Sequence, residues 1–79
     1  MEITVYALFD ESLSEIYVSM TNDLERRLTE HKRGQSSYTR KFKNFRLIYQ
    51  ECHPDYAQAR KREKFFKNGS GKEFLRKLI

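Results

Sequence analysis

Tyr17-Val18-Ser19-Met20-Thr21-Asn22-Asp23-Leu24-Glu25-Arg26-Arg27-Leu28 changes its periodicity part-way along. With Ile16, the first residues make a short run rich in β-formers, which predicts a strand over 16–20. Asn22 is a capping residue type, and Glu25 three positions later completes a capping box. Leu24 and Leu28 then supply an i, i+4 apolar pair for a helix over about 23–33. Gly34 ends that helix as a left-handed residue would. A strand that passes through a cap directly into a helix constrains what can lie on either side.

Upstream, residues 3–9 alternate and predict a strand, and the polar, acidic 10–15 is a loop of hairpin length. The chain therefore opens with a β-hairpin. Downstream, 35–44 is polar and basic and reads as a long exposed loop, followed by a third strand over 45–51. His53-Pro54-Asp55 is a turn, with Asp55 as N-cap of a helix over 56–67. Asn68-Gly69-Ser70-Gly71 breaks that helix. Ser70 and Glu73 form a second capping box, and a short helix to about 78 turns Phe74, Leu75 and Leu78 inward. The order β-β-α-β-α-α over 1–79 predicts one small α/β (α+β) domain, a three-stranded, mainly antiparallel sheet flanked by helices.

Seventy-nine residues leave no room for a second core. No apolar run approaches the ~18 residues of a membrane span. Met1-Glu2 begins no basic-then-apolar leader, so a cytoplasmic protein with no membrane contact is expected. One cysteine, Cys52, excludes an internal disulfide, and with only two histidines a structural zinc site is not expected.

Charge is distributed unevenly. Residues 1–22 carry four acids and no Lys or Arg, and all sixteen bases lie beyond them. Residues 32–46 hold six bases and no acid. Such a surface suits a polyanion, nucleic acid first, although a solvated basic face has the same composition.

A few residues stand out from packing. Tyr56, Ala59 and Phe66 mark the apolar stripe of the second helix, and Glu63 lies on it. A carboxylate there is costly unless it is paired, by Arg60, Lys67 or another base, or bound to a metal. Arg27 and His31 share one face of the first helix. Tyr6 and Tyr17 lie mid-strand in the hairpin, as core aromatics or as a reactive pair.

Taken in order, Tyr6, Tyr17, Arg27, His31 and Glu63 in such a chain resemble the GIY-YIG nuclease superfamily. The resemblance is to its small stand-alone members, which are like the N-terminal domain of excision-repair nucleases. The first motif is present as Thr4-Val5-Tyr6 and the second as Tyr17-Val18-Ser19. The run through Arg27 to His31 resembles the helix after the second motif, and Ala59 to Lys67 with Gly69 to Leu75 resembles the later helices. Thr4 and Ser19 stand where the motifs have glycine. The Ser19 side chain is expected to narrow the site.

The resemblance implies a metal-dependent DNA endonuclease of structure-directed or weak sequence specificity, serving DNA repair or recombination. It implies that Glu63 is the sole protein ligand of Mg²⁺ (or Mn²⁺) and that Arg27 contacts the scissile phosphate. Tyr6 would act on the attacking water, its phenol acidified by nearby cations or relieved of its proton by His31, and Tyr17 would position water or phosphate. Lys32, Arg33, Arg40, Lys41, Lys43, Arg60, Lys64 and Lys67 would hold flanking phosphates, with little reading of bases and with targeting left to a partner protein. Two other readings remain open: a DNA-binding module without catalysis, and a small basic protein-interaction domain.

Overall fold

The computed structural model describes residues 2–79. Its elements are β1 (Ile3–Asp10), β2 (Glu15–Thr21), α1 (Leu24–Lys32), β3 (Phe45–His53), α2 (Tyr56–Phe66) and α3 (Gly69–Arg76), with a short 3₁₀ turn at Thr39–Lys41. This is the β-β-α-β-α-α order expected from the sequence. The sheet order is β2-β1-β3 and both pairings are antiparallel.

β1 is the central strand, and its two faces separate the molecule. Ile3, Val5 and Ala7 point to one side, where they form a core with Val18 of β2, Ala59 and Phe66 of α2, and Leu75 of α3. Tyr6 and Leu8 alternate to the other side and are also fully buried. A strand covered on both faces reads as a nearly continuous apolar run, and this corrects the expected alternation: apart from Thr4, residues 3–9 are such a run, and Tyr6 to Phe9 are buried in succession. Between Ala7 and Leu8 the β3 pairing shifts register. This bulge lets consecutive residues Ile48 and Tyr49 both pack on the α2 side.

Several local expectations are corrected. Asp23, not Asn22, caps α1: its carboxylate accepts from the Arg26 amide at 3.1 Å. Asn22 instead accepts from the Arg26 guanidinium at 3.4 Å. α3 begins at Gly69, before Ser70 could cap it, and Asn68 at its N-cap makes no side-chain capping bond. Only Leu75 of the α3 trio is buried, while Phe74 and Leu78 are exposed. Tyr56 likewise leaves the α2 stripe for solvent. The 35–44 segment is not simply exposed, because Ser36, Thr39 and Phe42 are buried. Gly34 does take the left-handed conformation, with φ +72°, and Asp55 caps α2 by accepting from the Gln58 amide at 2.9 Å.

One glycine has a packing role invisible in the pattern. A Cβ on Gly71 would collide with the Phe65 carbonyl. That close approach folds α3 back onto α2 and leaves Phe66 and Leu75 in one core.

Candidate active site

The strand register places Tyr6 opposite Ser19 and Leu8 opposite Tyr17. Tyr6 and Tyr17 are thus diagonal neighbours on one face, with ring centroids 6.5 Å apart in an edge contact. α1 brings His31 over them. Its ring lies 5.8 Å from Tyr6 and 5.5 Å from Tyr17, and it is buried. The Tyr6 hydroxyl and His31 Nε2 are 2.7 Å apart, and His31 Nδ1 is 2.5 Å from the Thr39 hydroxyl.

The pKa directions decide how these protons are held. Burial pushes the Tyr6 phenol up, to about 12, with the neighbouring Tyr17 adding to the rise; Arg27 and the Ser19 hydroxyl only partly offset it. The expected acidification of Tyr6 by cations is therefore corrected: burial outweighs them. Burial, with Arg27 nearby, holds His31 below its ordinary value, so the imidazole is neutral at pH 7. Tyr6, keeping its proton, donates to Nε2, and Nδ1–H then donates to Thr39.

Arg27 projects from the same face of α1 as His31. Its guanidinium donates to Glu30 at 3.0 Å and to Ser36 at 3.4 Å. Its charge partly offsets the rise in the Tyr6 pKa. An arginine that is anchored but still partly exposed can donate bidentately to an incoming phosphate.

Glu63 lies elsewhere. It is on α2, which packs against the opposite face of the sheet, between the buried Ala59 and Phe66. Its side chain is 13% exposed and its carboxylate accepts from Lys67 at 3.3 Å. No hydrogen bond or ion pair among the described residues joins it to the other four. The two sides meet at the free edge of β2, where Tyr17, Phe66 and Lys67 line one cleft. Among the described residues no three His, Cys, Asp or Glu side chains cluster as a metal cage. A lone, largely sheltered carboxylate nevertheless fits Mg²⁺, which keeps most of its waters and needs few protein oxygens.

The bases also divide. Lys32, Arg33, Arg40 and Lys43 surround an open concavity of about 590 Å³ that reaches His31. None of the four is in an ion pair among the described residues. Lys41 points away, paired with Glu15 at 3.1 Å and lying over the Tyr38 ring. Arg60 and Lys64 are exposed on α2. Lys67 neutralises Glu63.

Sequence reasoning missed Thr39, Ser36, Glu30 and Tyr38. Glu30 was legible, three residues from Arg27 on one helix face. Thr39, Ser36 and Tyr38 lie in an aperiodic basic stretch, where no pattern marks a residue that turns inward.

A tyrosine hydrogen-bonded to a neutral histidine, beside an anchored arginine and a cationic concavity, makes a site suited to phosphodiesters. The chain belongs to the GIY-YIG family: the model of the GIY-YIG catalytic domain matches residues 2–77. That family is one of nucleases acting on DNA, generally with divalent metal ions. The fold is similar to the solution NMR structure of the UPF0213 protein BH0048 from Bacillus halodurans, with a TM-score of 0.57 and 28% identity. The match covers 96% of this chain and 81% of that one. No curated protein matches the chain. No helix among the described residues is long and apolar enough to cross a membrane.

Proposed function

We propose that this chain is a divalent-metal-dependent DNA endonuclease of structure-directed or weak sequence specificity, working in DNA repair or recombination with a partner protein that targets it. The observation that carries the reading is the buried 2.7 Å hydrogen bond between Tyr6 and His31, a histidine that also lines the cationic concavity.

Arg27 binds the scissile phosphate and stabilises its added charge in the transition state. Tyr17, edge-on to both Tyr6 and His31, positions the phosphate or the water. Tyr6 does not begin as a phenolate, because its pKa of about 12 forbids it at neutral pH. It takes a proton from the attacking water only as its own proton passes to His31 Nε2. Thr39 holds the imidazole so that Nε2 faces Tyr6 and is free to receive that proton. Glu63 would hold Mg²⁺ (or Mn²⁺), exchanging its bond to Lys67 for the ion. When bound, the ion supplies charge stabilisation at the leaving oxygen.

A second reading, a DNA-binding module without cleavage, draws on Ser19, whose side chain shares the face of Tyr6 where the family motif has glycine. Supercoiled, linear and branched DNA incubated with the chain, with and without Mg²⁺, separates the two. Metal-dependent cleavage that Glu63→Ala abolishes, while the variant stays folded by circular dichroism, supports the nuclease. Salt-sensitive binding with no cleavage by the parent chain supports the module. Cleavage by Glu63→Ala at the parent rate removes Glu63 from the metal site.

A further inference from the structure

The cleft at the β2 edge has features that phosphodiester hydrolysis does not use. It is lined by Ile16, Tyr17 and Val18 of the edge strand, by Tyr38 and Phe66, and by Lys67 and Lys72, around about 280 Å³. Its walls are mainly apolar and aromatic, while its rim is cationic. Tyr38 stacks on Tyr17 with centroids 5.2 Å apart and planes at 23°. A tyrosine proposed to handle the scissile phosphate is therefore in direct contact with a ring that is 50% exposed. Lys41 Nζ lies over that ring, 4.7 Å from the centroid, on a side chain that is itself half exposed. With Tyr17 stacked on it, the Tyr38 ring offers a flat partner an aromatic stack when the half-exposed Lys41 side chain swings aside.

We propose that this cleft lodges an unpaired nucleobase next to the scissile phosphate, so that the preferred substrate is DNA with an unstacked nucleotide at the cut, as at a flap, bulge or branch. The inference rests on the DNA-cleaving reading and deepens it. Charge complementarity selects a nucleotide over an apolar peptide side chain. Lys72 makes no ion pair among the described residues and stands at the rim, where the phosphate of the lodged nucleotide would lie. β2 is an edge strand, so its outward backbone groups at 16–18 can hydrogen-bond the polar edge of a base. A paired base keeps its π-faces inside the duplex, so only an extruded or single-stranded base can enter. Such stacking is tolerant of sequence, in keeping with weak base readout.

The test measures binding in EDTA, so that cleavage does not interfere. Two DNAs are compared, each with one 2-aminopurine: in a single-nucleotide bulge, and fully paired. The parent chain should bind the bulged DNA more tightly and quench the bulged 2-aminopurine. Tyr38→Ala should weaken bulged-DNA binding by about 5- to 150-fold, the scale of one base–aromatic stack, and leave the paired duplex unchanged. Tyr38→Phe and Tyr38→Trp should retain the preference, showing that the ring and not its hydroxyl is needed. Equal affinity of the parent for both DNAs overturns the inference, as does a Tyr38→Ala variant that still discriminates or a Tyr38→Phe variant that fails like alanine. Binding of neither DNA overturns the nuclease reading as well. Preference for the bulge in a chain that never cleaves with Mg²⁺ leaves the cleft standing and overturns only the nuclease.

Discussion

Each face of the sheet carries a histidine, a tyrosine and an arginine in a polar cluster, and the two clusters differ in how a carboxylate enters: on the α2 face Glu51 joins all three side chains, whereas on the α1 face Glu30 engages only the arginine of the three. On the α2 face Glu51 accepts from Tyr49 at 2.7 Å and from the Arg62 guanidinium at 2.7 and 3.1 Å, and lies 2.6 Å from His53 Nε2. Arg62 above all, with Tyr49 and His53, holds this carboxyl down at about 2. These donors are committed to Glu51, and the cluster clamps β3 to α2. On the α1 face no carboxylate among the described residues hydrogen-bonds His31; its partners are the hydroxyls of Tyr6 and Thr39. That imidazole stays neutral with a proton-accepting nitrogen aimed at a phenol. Proximity of reactive side chains thus does not mark a site by itself. A saturated charge makes a strut, whereas a neutral imidazole bonded only to hydroxyls keeps a nitrogen able to take up a proton.

The largest effect should come from the cations beside the relay. Replacing Lys32, Arg33, Arg40 and Lys43 by Ala should weaken DNA binding across sequences and flatten the salt slope. The flattening should be at most about 0.9 for each phosphate that is no longer neutralised. Fluorescence anisotropy against salt concentration checks this. Lys41→Ala, whose charge is already engaged by Glu15, should leave the slope nearly unchanged. A slope unmoved by the four replacements would show that phosphates do not use the α1 face.

Next in size, Arg62→Ala should destabilise the fold by about 2 kcal/mol, because Glu51 is left largely buried with its charge under-satisfied. Urea unfolding measures this. The Glu51 carboxyl is depressed in the fold, so its stabilising contribution is present above the unfolded carboxyl value of 4.5 and is lost as pH falls toward about 2. In Arg62→Ala that acid-dependent loss should shrink. If the variant also lost cleavage while folded, the strut and the relay would not be separate devices.

The smaller effect is the acid limb of the cleavage rate. His31 is held below its ordinary 6.5, so the relay stays competent down to below that value and fails as the imidazole takes up a proton. Single-turnover cleavage across about pH 5 to 9 should fall toward tenfold per unit at the acid end. The fold contribution has the same sign: neutral His31 stabilises fully above 6.5, and the benefit is lost as pH falls through its depressed pKa.

Much of the α1 face was legible in the sequence. Tyr6, Tyr17, Arg27 and His31 lie on regular elements, where periods of two and of about four assign faces. Thr39, which orients the histidine, lies in a stretch with no period, so its inward turn follows only from the 3₁₀ geometry. The Glu51–Arg62 clamp joins a strand to a helix across a turn, and no local spacing reports it. Glu63 shows the reverse limit. Its place on the α2 stripe is readable, but which side of the sheet that stripe covers depends on tertiary packing. The α1 cap moved by one residue because Asn22 and Asp23 are equally good caps in isolation.

The most direct test removes one hydroxyl from each face. DNA cleavage with Mg²⁺ is measured for the parent chain, Tyr6→Phe and Tyr49→Phe, with thermal unfolding of each. Both variants give up one sheltered hydrogen bond and should fall in stability by a similar amount, about 1–2 kcal/mol. Tyr6→Phe should lose cleavage by about 10²- to 10⁴-fold, and Tyr49→Phe should cleave as the parent does. Equal rates for the two variants, or a parent chain that cleaves nothing, would contradict the assignment of catalysis to the Tyr6–His31 relay.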